Sequence, residues 1–205
     1  MIIATGEPGP AIVRAAARHE VDLIITGMTR SEAFDRLLAG ATVSSLIRNA
    51  SAPVLVVKNR PRDDYRRIVV TTDFSEVSRS ALDATLRLFS DSDVVLFHAF
   101  QMPGRGIVHN DRSIMEFRQM LEPQVRACLL DCALRRNYDA TRVEVIVEHG
   151  DLGWLLRDYV RAKRVDLVVS GGHGLGALAE LLIGSVAKQL LDTVPCDMMI
   201  VRQPR

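Results

Sequence analysis

The sequence has few cysteines, few aromatic residues and no long apolar run. Three cysteines in 205 residues are too few, and odd in number, for a disulfide framework, which favours a reducing compartment. No apolar stretch approaches the roughly 20 residues that span a bilayer, and the N-terminus has no basic region ahead of an apolar one. The net charge is +1, without a block of lysine and arginine. We therefore expect a cytoplasmic protein that binds neither nucleic acid nor membrane.

The chain contains an internal duplication. When the sequence is shifted by 144 residues, residues 1–61 align with residues 145–205 without a gap, and thirteen pairs are identical. Gly27 and Gly171, for example, both follow an apolar run. Matching glycines in matching turns are typical of a repeated structural unit. We therefore expect two units, residues 1–61 (the first copy) and residues 66–205 (the second copy, which also extends upstream of the aligned part).

The second copy alternates apolar, β-branched runs with amphipathic segments. This alternation predicts an α/β fold, an open parallel sheet of five strands with helices on both faces. One helix, over residues 112–137, contains Pro123, and we expect it to be kinked or to start late for that reason. Another helix should begin after Ser75, a residue suited to an N-cap. The strands are predicted at residues 67–72, 94–100, 143–147, 165–170 and 198–202, and the remaining helices at 152–163 and 178–193.

The first copy is incomplete. It has counterparts of the last three strands only, at residues 2–4, 23–26 and 54–57, and lacks the first strand, which is usually central in sheets of this kind. By the spacing of the second copy, roughly 75 to 80 residues are missing. We expect that Met1 is an internal or mis-called start, or that the gene is truncated.

A glycine motif follows the fourth predicted strand of the second copy. It consists of Gly171, Gly174, Gly184 and Ser185, with nine residues between the second and third of these. Ligands bind at the carboxyl ends of strands in open α/β sheets, and glycines let main-chain N–H groups approach a phosphate. A helix that opens with Gly-Ser adds amide donors, a dipole and a hydroxyl. The motif predicts nucleotide binding.

With these features the chain resembles the universal stress protein family. Nucleotide-binding members carry Gly-x-x-Gly, nine residues, and Gly-Ser or Gly-Thr, which the motif matches. Residues 70–76 resemble the family's first strand and acidic turn, 96–99 its second strand and 166–169 its fourth. The resemblance covers the second copy completely and the first in part. It implies an adenine nucleotide α-hydrolase-like fold with strand order 3-2-1-4-5, paired through the last strand as a homodimer or tandem pseudo-dimer.

The resemblance also implies a site for ATP, with or without Mg²⁺. In the family the nucleotide lies across the carboxyl ends of strands one, two and four. By position, Asp73 would contact the adenosine moiety and the backbone of Ala99 would face adenine. The residues implied for ribose and phosphates are Gly171, Gly174, Gly184, Ser185 and Val186. No catalytic or metal-ligating residue is implied.

The first copy carries an altered motif. Arg30 stands where the second copy has Gly174, and Ala41 stands where it has Ser185. A long side chain in place of glycine, together with the lost hydroxyl, indicates that this site is lost, although an arginine can itself bind phosphate. We expect this copy to be structural or regulatory.

The remaining polar and reactive side chains are expected to be packing residues and not ligands. His98 lies within a predicted strand and is expected in the core or at the sheet end. Cys128 and Cys132 share one helix face without further ligands nearby, so we expect buried packing residues and not a metal site. The family's usual proline before the last strand is present as Pro53 but replaced by Asp197 in the second copy. The resemblance therefore does not specify the geometry of that edge.

Three functions are compatible with these features. The first is an ATP-binding protein of regulation or signalling in the stress response. The second is a nucleotide-free dimerisation or interaction module. The third is a weak ATP-hydrolysing enzyme, but the related pyrophosphatases carry a glycine loop after the first strand, and residues 71–75 contain no glycine. Neither paired carboxylates nor an activated nucleophile is recognisable, so we expect binding without appreciable turnover.

Overall fold

The structure is a computed structural model that describes residues 3, 5–31, 36–38, 40–60, 63–103, 110–172 and 184–202. Within this part the chain alternates strands and helices. The strands are β1 (Ile24–Gly27), β2 (Thr29–Ser31), β3 (Arg36–Leu38), β4 (Val54–Val57), β5 (Arg67–Thr71), β6 (Asp93–Phe100), β7 (Val143–His149), β8 (Leu167–Gly171) and β9 (Asp197–Val201). The helices are α1 (Pro8–Arg18), α2 (Ala41–Asn49), α3 (Glu76–Leu88), α4 (Asp111–Arg136), α5 (Leu152–Lys163) and α6 (Ser185–Thr193), with a short 3₁₀ turn at Ala140–Arg142.

Seven strands form one sheet in the order β1-β4-β9-β8-β5-β6-β7. Strands β5 to β9 belong to the second copy and are parallel to one another. Numbered along that copy, they lie in the order 3-2-1-4-5, so the expected α/β fold and its strand order are confirmed. Crossover helices connect parallel neighbours, which places the carboxyl ends of β5, β6 and β8 at one edge of the sheet.

The two copies join through their last strands. β4 pairs with β9 in antiparallel register, with Leu55 opposite Met199. These two residues are also aligned with each other by the shift of 144, and both are buried. The junction is therefore nearly two-fold symmetric about this pair, as in a symmetric dimer interface. The expected last-strand pairing is found here within one chain.

Asp197 lies in this junction between β4 and β9. The family resemblance did not predict the geometry of this edge. Its side chain is only 5% exposed. Oδ1 accepts hydrogen bonds from the backbone N–H of Lys58, at 2.8 Å, and of Asn59, at 3.0 Å. Oδ2 accepts one from the hydroxyl of Tyr65, at 2.7 Å. The carboxylate thus fixes both ends of the segment that connects the copies.

Apolar side chains fill the space on both faces of the sheet. One core lies under α2, α5 and α6 and includes Leu46, Leu156 and Leu190. The other lies under α3 and α4 and includes Leu82 and Leu129. This is the two-sided covering that a parallel sheet requires. Within the described residues, no helix combines the length and apolarity needed to cross a bilayer.

Three local expectations differ from the structure or fall outside it. A late start of the helix at Pro123 is wrong: α4 begins at Asp111, because Asn110 caps it by accepting a hydrogen bond from the N–H of Ser113 at 2.8 Å. A small antiparallel ribbon of β2 and β3 was not expected. The strand predicted at residues 2–4 and the start of the helix predicted at 178–193 lie mostly outside the described residues.

Candidate functional site

The turn after β5 is fixed by a chain of short polar contacts. Oδ1 of Asp73 accepts hydrogen bonds from the N–H of Ser75, at 3.1 Å, and from its hydroxyl, at 2.5 Å. The Ser75 oxygen in turn accepts from the N–H of Ser78, at 3.2 Å, and so caps α3 as expected. The exposed carboxylate of Asp73 is thereby held at the end of the central strand.

The same turn contains a strained residue. Phe74 has φ = +67°, a left-handed conformation that aromatic residues rarely adopt. Its ring packs on the ring of His98 with centroids 4.5 Å apart, and its N–H donates to the hydroxyl of Thr72 at 3.2 Å. His98 is buried, as expected, and its Nδ1 donates to the carbonyl of Thr72 at 2.7 Å. These contacts hold the chain in the strained conformation beside Asp73.

Gly171 lies where β8 approaches α3 closely. A Cβ atom at this position would be 2.9 Å from Cγ1 of Val77 and 3.3 Å from the backbone N of Ser78. At the aligned Gly27 of the first copy, the same atom would have no atom of the described part of the chain within 4 Å. The absence of a side chain is therefore a packing requirement in the second copy only.

The start of α6 presents backbone N–H groups. Gly184 occupies the N-cap position, and no side chain of a described residue caps the helix there. The N–H of Gly184 donates to the carbonyl of Gly172 at 2.9 Å, which brings the helix start next to the end of β8. Amides in the first turn of a helix favour an anion through their N–H groups and the helix dipole.

The other end of α6 is held by the first copy. Nζ of Lys58 donates to the carbonyl oxygens of Leu191, at 2.7 Å, and Val194, at 2.9 Å. Both carbonyl groups lie at the C-terminal end of the helix. A cation at this end also interacts favourably with the helix dipole. Burial lowers the pKa of Lys58 to about 8.

A cavity of about 340 Å³ opens at the carboxyl ends of β5, β6, β7 and β8. It brings together four of the residues named from the sequence: Asp73, Ala99, Gly171 and Val186. Gly184 and Ser185 stand immediately before Val186, at the start of α6. Gly174 lies outside the described residues. The residues brought together thus come from three strands and one helix start.

Part of the cavity wall was not anticipated from the sequence. Gly150, Asp151 and Gln189 also line it, which adds the end of the third strand to the site. Asp151 caps α5 by accepting from the N–H of Trp154 at 3.0 Å, and Nε2 of Gln189 donates to the same oxygen at 3.4 Å. The sequence contained a signal for this part of the site, because Gly150 belongs to one of the thirteen identical pairs. In the structure Gly150 has φ = +143°.

A larger cavity of about 660 Å³ lies at the opposite edge of the sheet. Its wall includes Asp63, Asp64, Asp166 and Asp197. These four carboxylates outnumber the one arginine of the wall, Arg60, so the cavity disfavours an anionic ligand such as phosphate. Among the described residues no group of three or more histidine, cysteine and acidic side chains is placed to hold a metal ion. Cys128 and Cys132 are buried, as expected.

The sequence matches known proteins over most of its length. The model of the universal stress protein family matches residues 1–58 and 64–202. A universal stress protein of Methanocaldococcus jannaschii is 38% identical over 143 residues, which cover 69% of this chain and 84% of that protein. One of Mycolicibacterium smegmatis is 27% identical over 201 residues, 91% of this chain. The chain spans only 63% of that relative's length.

Solved structures show the same fold. A universal stress protein from Archaeoglobus fulgidus has a TM-score of 0.61 at 15% identity, covering 97% of this chain and 66% of that one. A functionally unknown protein from Pseudomonas aeruginosa has a TM-score of 0.66 at 16% identity, covering 98% of this chain and 69% of that one. The chain belongs to the universal stress protein family.

Proposed function

We propose that the second copy binds ATP or a related adenine nucleotide and that the protein acts in regulation or signalling of the stress response. The observation that carries the proposal is the cavity at the carboxyl ends of β5, β6 and β8, beside the uncapped start of α6. Its volume of about 340 Å³ falls within the range of roughly 300 to 1,000 Å³ typical of small-molecule sites.

The charges around the cavity favour one orientation of the nucleotide. Asp73 and Asp151 carry carboxylates, which repel phosphate and accept hydrogen bonds from hydroxyl groups. Gly171 and the start of α6 offer backbone N–H groups and the positive end of a helix dipole. We therefore propose that the nucleoside lies towards the two carboxylates and the phosphates towards Ser185, with Mg²⁺ entering, if at all, with the nucleotide.

We further propose that the protein has one nucleotide site for its two units, residues 1–61 and residues 66–205. In the first copy the backbone of Thr29–Ser31 forms a ribbon with Arg36–Leu38, within the stretch that carries the altered motif. Arg30 and Ala41 stand in that motif at the positions of Gly174 and Ser185, which we propose hold the phosphates in the second copy. The first copy then acts as a support for α6 through Lys58.

Binding without catalysis is the proposed activity. The described residues that line the cavity include neither lysine nor histidine, so the wall offers no evident general base beyond its carboxylates. The hydroxyl of Ser75 donates to the carboxylate of Asp73, but its oxygen also accepts from the N–H of Ser78 and caps α3, so this pair serves the helix start. A nucleotide-free interaction module and a weak ATPase are the alternatives to be separated from this proposal.

Ser185→Asp should weaken ATP binding at least about tenfold, equal to about 1.4 kcal/mol, because it places a carboxylate where the phosphates are expected. The fold should not suffer, since an acidic residue in the first turn of a helix is favourable by about 0.5 kcal/mol. Ala41→Asp is the matched control, because Ala41 is aligned with Ser185 and opens α2 in the same way. It should leave ATP affinity unchanged. Calorimetric titration with ATP, alongside thermal unfolding of both variants, measures the difference.

Three outcomes would contradict the proposal. The absence of saturable ATP binding by the unaltered chain would favour the interaction module. Release of phosphate from ATP that disappears in Asp73→Ala would favour the enzyme. Equal loss of affinity in both aspartate variants would place the ligand somewhere other than the start of α6.

A further inference from the structure

Helix α4 carries apolar side chains on two opposite faces. One face packs on the sheet through residues such as Val125 and Leu129, which are 0% and 3% exposed. The opposite face keeps large apolar residues in contact with solvent, since Met120 and Leu130 are each 53% exposed and Leu134 is 81% exposed. A helix that covers a single core needs one apolar face and carries polar residues on the other. The second apolar face therefore indicates a second contact surface.

The exposed apolar residues are spaced as in a helix that packs against another helix. At intervals of three, four, three and four residues, they are Met120, Pro123, Ala127, Leu130 and Leu134, which we call the α4 seam. This is the spacing of the a and d positions of a heptad, with Met120 at a. Side chains at these positions form one stripe along a helix and interlock with the stripe of a facing helix. The spacing therefore favours a helix as the occupant.

The α4 seam lies far from the incomplete part of the first copy. α4 packs on α3, β6 and β7. β7 is the strand at one end of the seven-stranded sheet and β1 the strand at the other, so six strand spacings of about 4.8 Å separate them by about 29 Å. The strands that we expect before Met1 would extend the sheet from β1, on the side away from α4. The exposure of the seam therefore does not follow from where the sequence begins.

The charges beside the seam favour a second copy in parallel orientation. With Met120 at a, Arg126 occupies a g position and Asp131 the next e position. In a parallel pair of helices the g residue of one faces the following e residue of the other, so Arg126 of each copy faces Asp131 of the other copy. In an antiparallel pair g faces g and e faces e, so like charges would meet. A second copy of α4, lying parallel, is thus a complementary occupant.

Both charged groups are available for this contact. Arg126 is exposed and forms no ion pair with another described residue. Asp131 pairs with Arg79, at 3.4 Å, and with Arg135, at 2.9 Å, and both contacts are made by Oδ2. Its side chain is 50% exposed, so Oδ1 can receive a third cation. Exposed pairs of this kind add little affinity and mainly determine orientation and partner choice.

We propose that the α4 seam is the contact surface of a homodimer, in which α4 of a second copy lies parallel to it. The seam supplies the apolar centre of the interface, and two pairs of Arg126 with Asp131 flank it and set the orientation. Because the seam spans only about two heptads, we expect a reversible dimer with a dissociation constant on the order of 10 μM. The proposal depends neither on nucleotide binding nor on the pairing of β4 with β9.

Sedimentation equilibrium of the full chain over a range of concentrations, without nucleotide, tests the dimer. Leu130→Asp places a carboxylate within the seam and should weaken dimerisation at least about tenfold. Met115→Asp is the matched control, because Met115 is 57% exposed on the same helix but lies outside the seam, and it should dimerise like the unaltered chain. Both positions are exposed, so the thermal midpoint of each variant should change little.

Charge reversal tests the orientation. Arg126→Asp brings two pairs of like charges together in a parallel dimer and should weaken dimerisation about tenfold. Adding Asp131→Arg to this variant should restore the affinity, because each pair then has opposite charges again. In an antiparallel dimer Arg126→Asp would only exchange one like-charged contact for another.

A chain that stays monomeric up to about ten times the expected dissociation constant would overturn the proposal. A dimer that Leu130→Asp leaves intact would do so as well, because it would use another surface. An affinity that Arg126→Asp does not change, or that the double variant does not restore, would overturn the parallel pairing.

Discussion

Replacing Asp197 with alanine should lower the free energy of unfolding by about 3 kcal/mol, one of the largest effects expected of a single side chain here. The carboxylate is buried and accepts from the N–H groups of Lys58 and Asn59 and from the hydroxyl of Tyr65. Alanine removes every acceptor at once and leaves these part-buried donors without their carboxylate partner. Urea unfolding monitored by circular dichroism measures the change.

Two milder variants separate the contributions that the backbone donors and the Tyr65 hydroxyl make to the free energy of unfolding. Asp197→Asn keeps an oxygen for the two backbone donors, and Tyr65→Phe removes one hydrogen bond only, so each should cost about 1 kcal/mol. The order, with alanine clearly the most destabilising, is the expected result. An alanine variant within about 1 kcal/mol of the unaltered protein would show that the linker donors find other partners.

The same change has a spectroscopic consequence. Burial and the hydrogen bond to Asp197 raise the pKa of Tyr65 above its ordinary value. Alanine at position 197 removes the hydrogen bond and the nearby negative charge, so this pKa should fall. Alkaline titration of tyrosinate absorbance, with Tyr65→Phe as the subtracted reference, detects the shift independently of stability.

Replacing Gly171 with valine should reduce ATP affinity about a hundredfold, equal to about 2.7 kcal/mol. A Cβ at this position would be 2.9 Å from Val77 and 3.3 Å from the backbone of α3, and two further methyl groups add to the crowding. The new side chain pushes α3 away from β8 and enters the cavity that Gly171 lines. Overpacking of this kind also costs about 1 to 3 kcal/mol of stability.

Gly27→Val is the matched control, since the same added atom meets no described residue within 4 Å at the aligned position. Its ATP affinity should equal that of the unaltered chain, and its stability should change little. Calorimetric titration of both variants, at a temperature where each is folded, gives the comparison. Similar affinities in the two variants would mean that the nucleotide does not approach the end of β8.

Much of the fold follows from local pattern and from the family resemblance. The β-branched runs that became β5, β6 and β8 were recognisable because buried parallel strands are apolar on both faces. Ser75 was recognised as a cap, and it does accept from the N–H of Ser78. The strand order came from the resemblance, because periodicity along the chain contains no information about which strands are neighbours.

The features that the sequence did not predict correctly all depend on tertiary contacts. Pro123 did not delay α4, because the cap at Asn110 and packing of Leu129 on the sheet outweigh one missing N–H. The role of Asp197 depends on Tyr65, 132 residues away in sequence. Asp151 and Gln189 approach each other across 38 residues and had no motif to mark them. The sequence motif and the family resemblance named Asp73, Ala99, Gly171 and Val186, which line one cavity, whereas residues brought there by tertiary contacts alone were not named.

The junction between Leu55 and Met199 also determines how the protein responds to dilution. Both edges belong to one polypeptide, so their pairing is an intramolecular equilibrium governed by an effective concentration on the order of millimolar for a short linker. Lowering the protein concentration therefore does not separate them. While they are paired, neither edge has a free row of backbone groups for another molecule. Any association with a second copy must use a different surface.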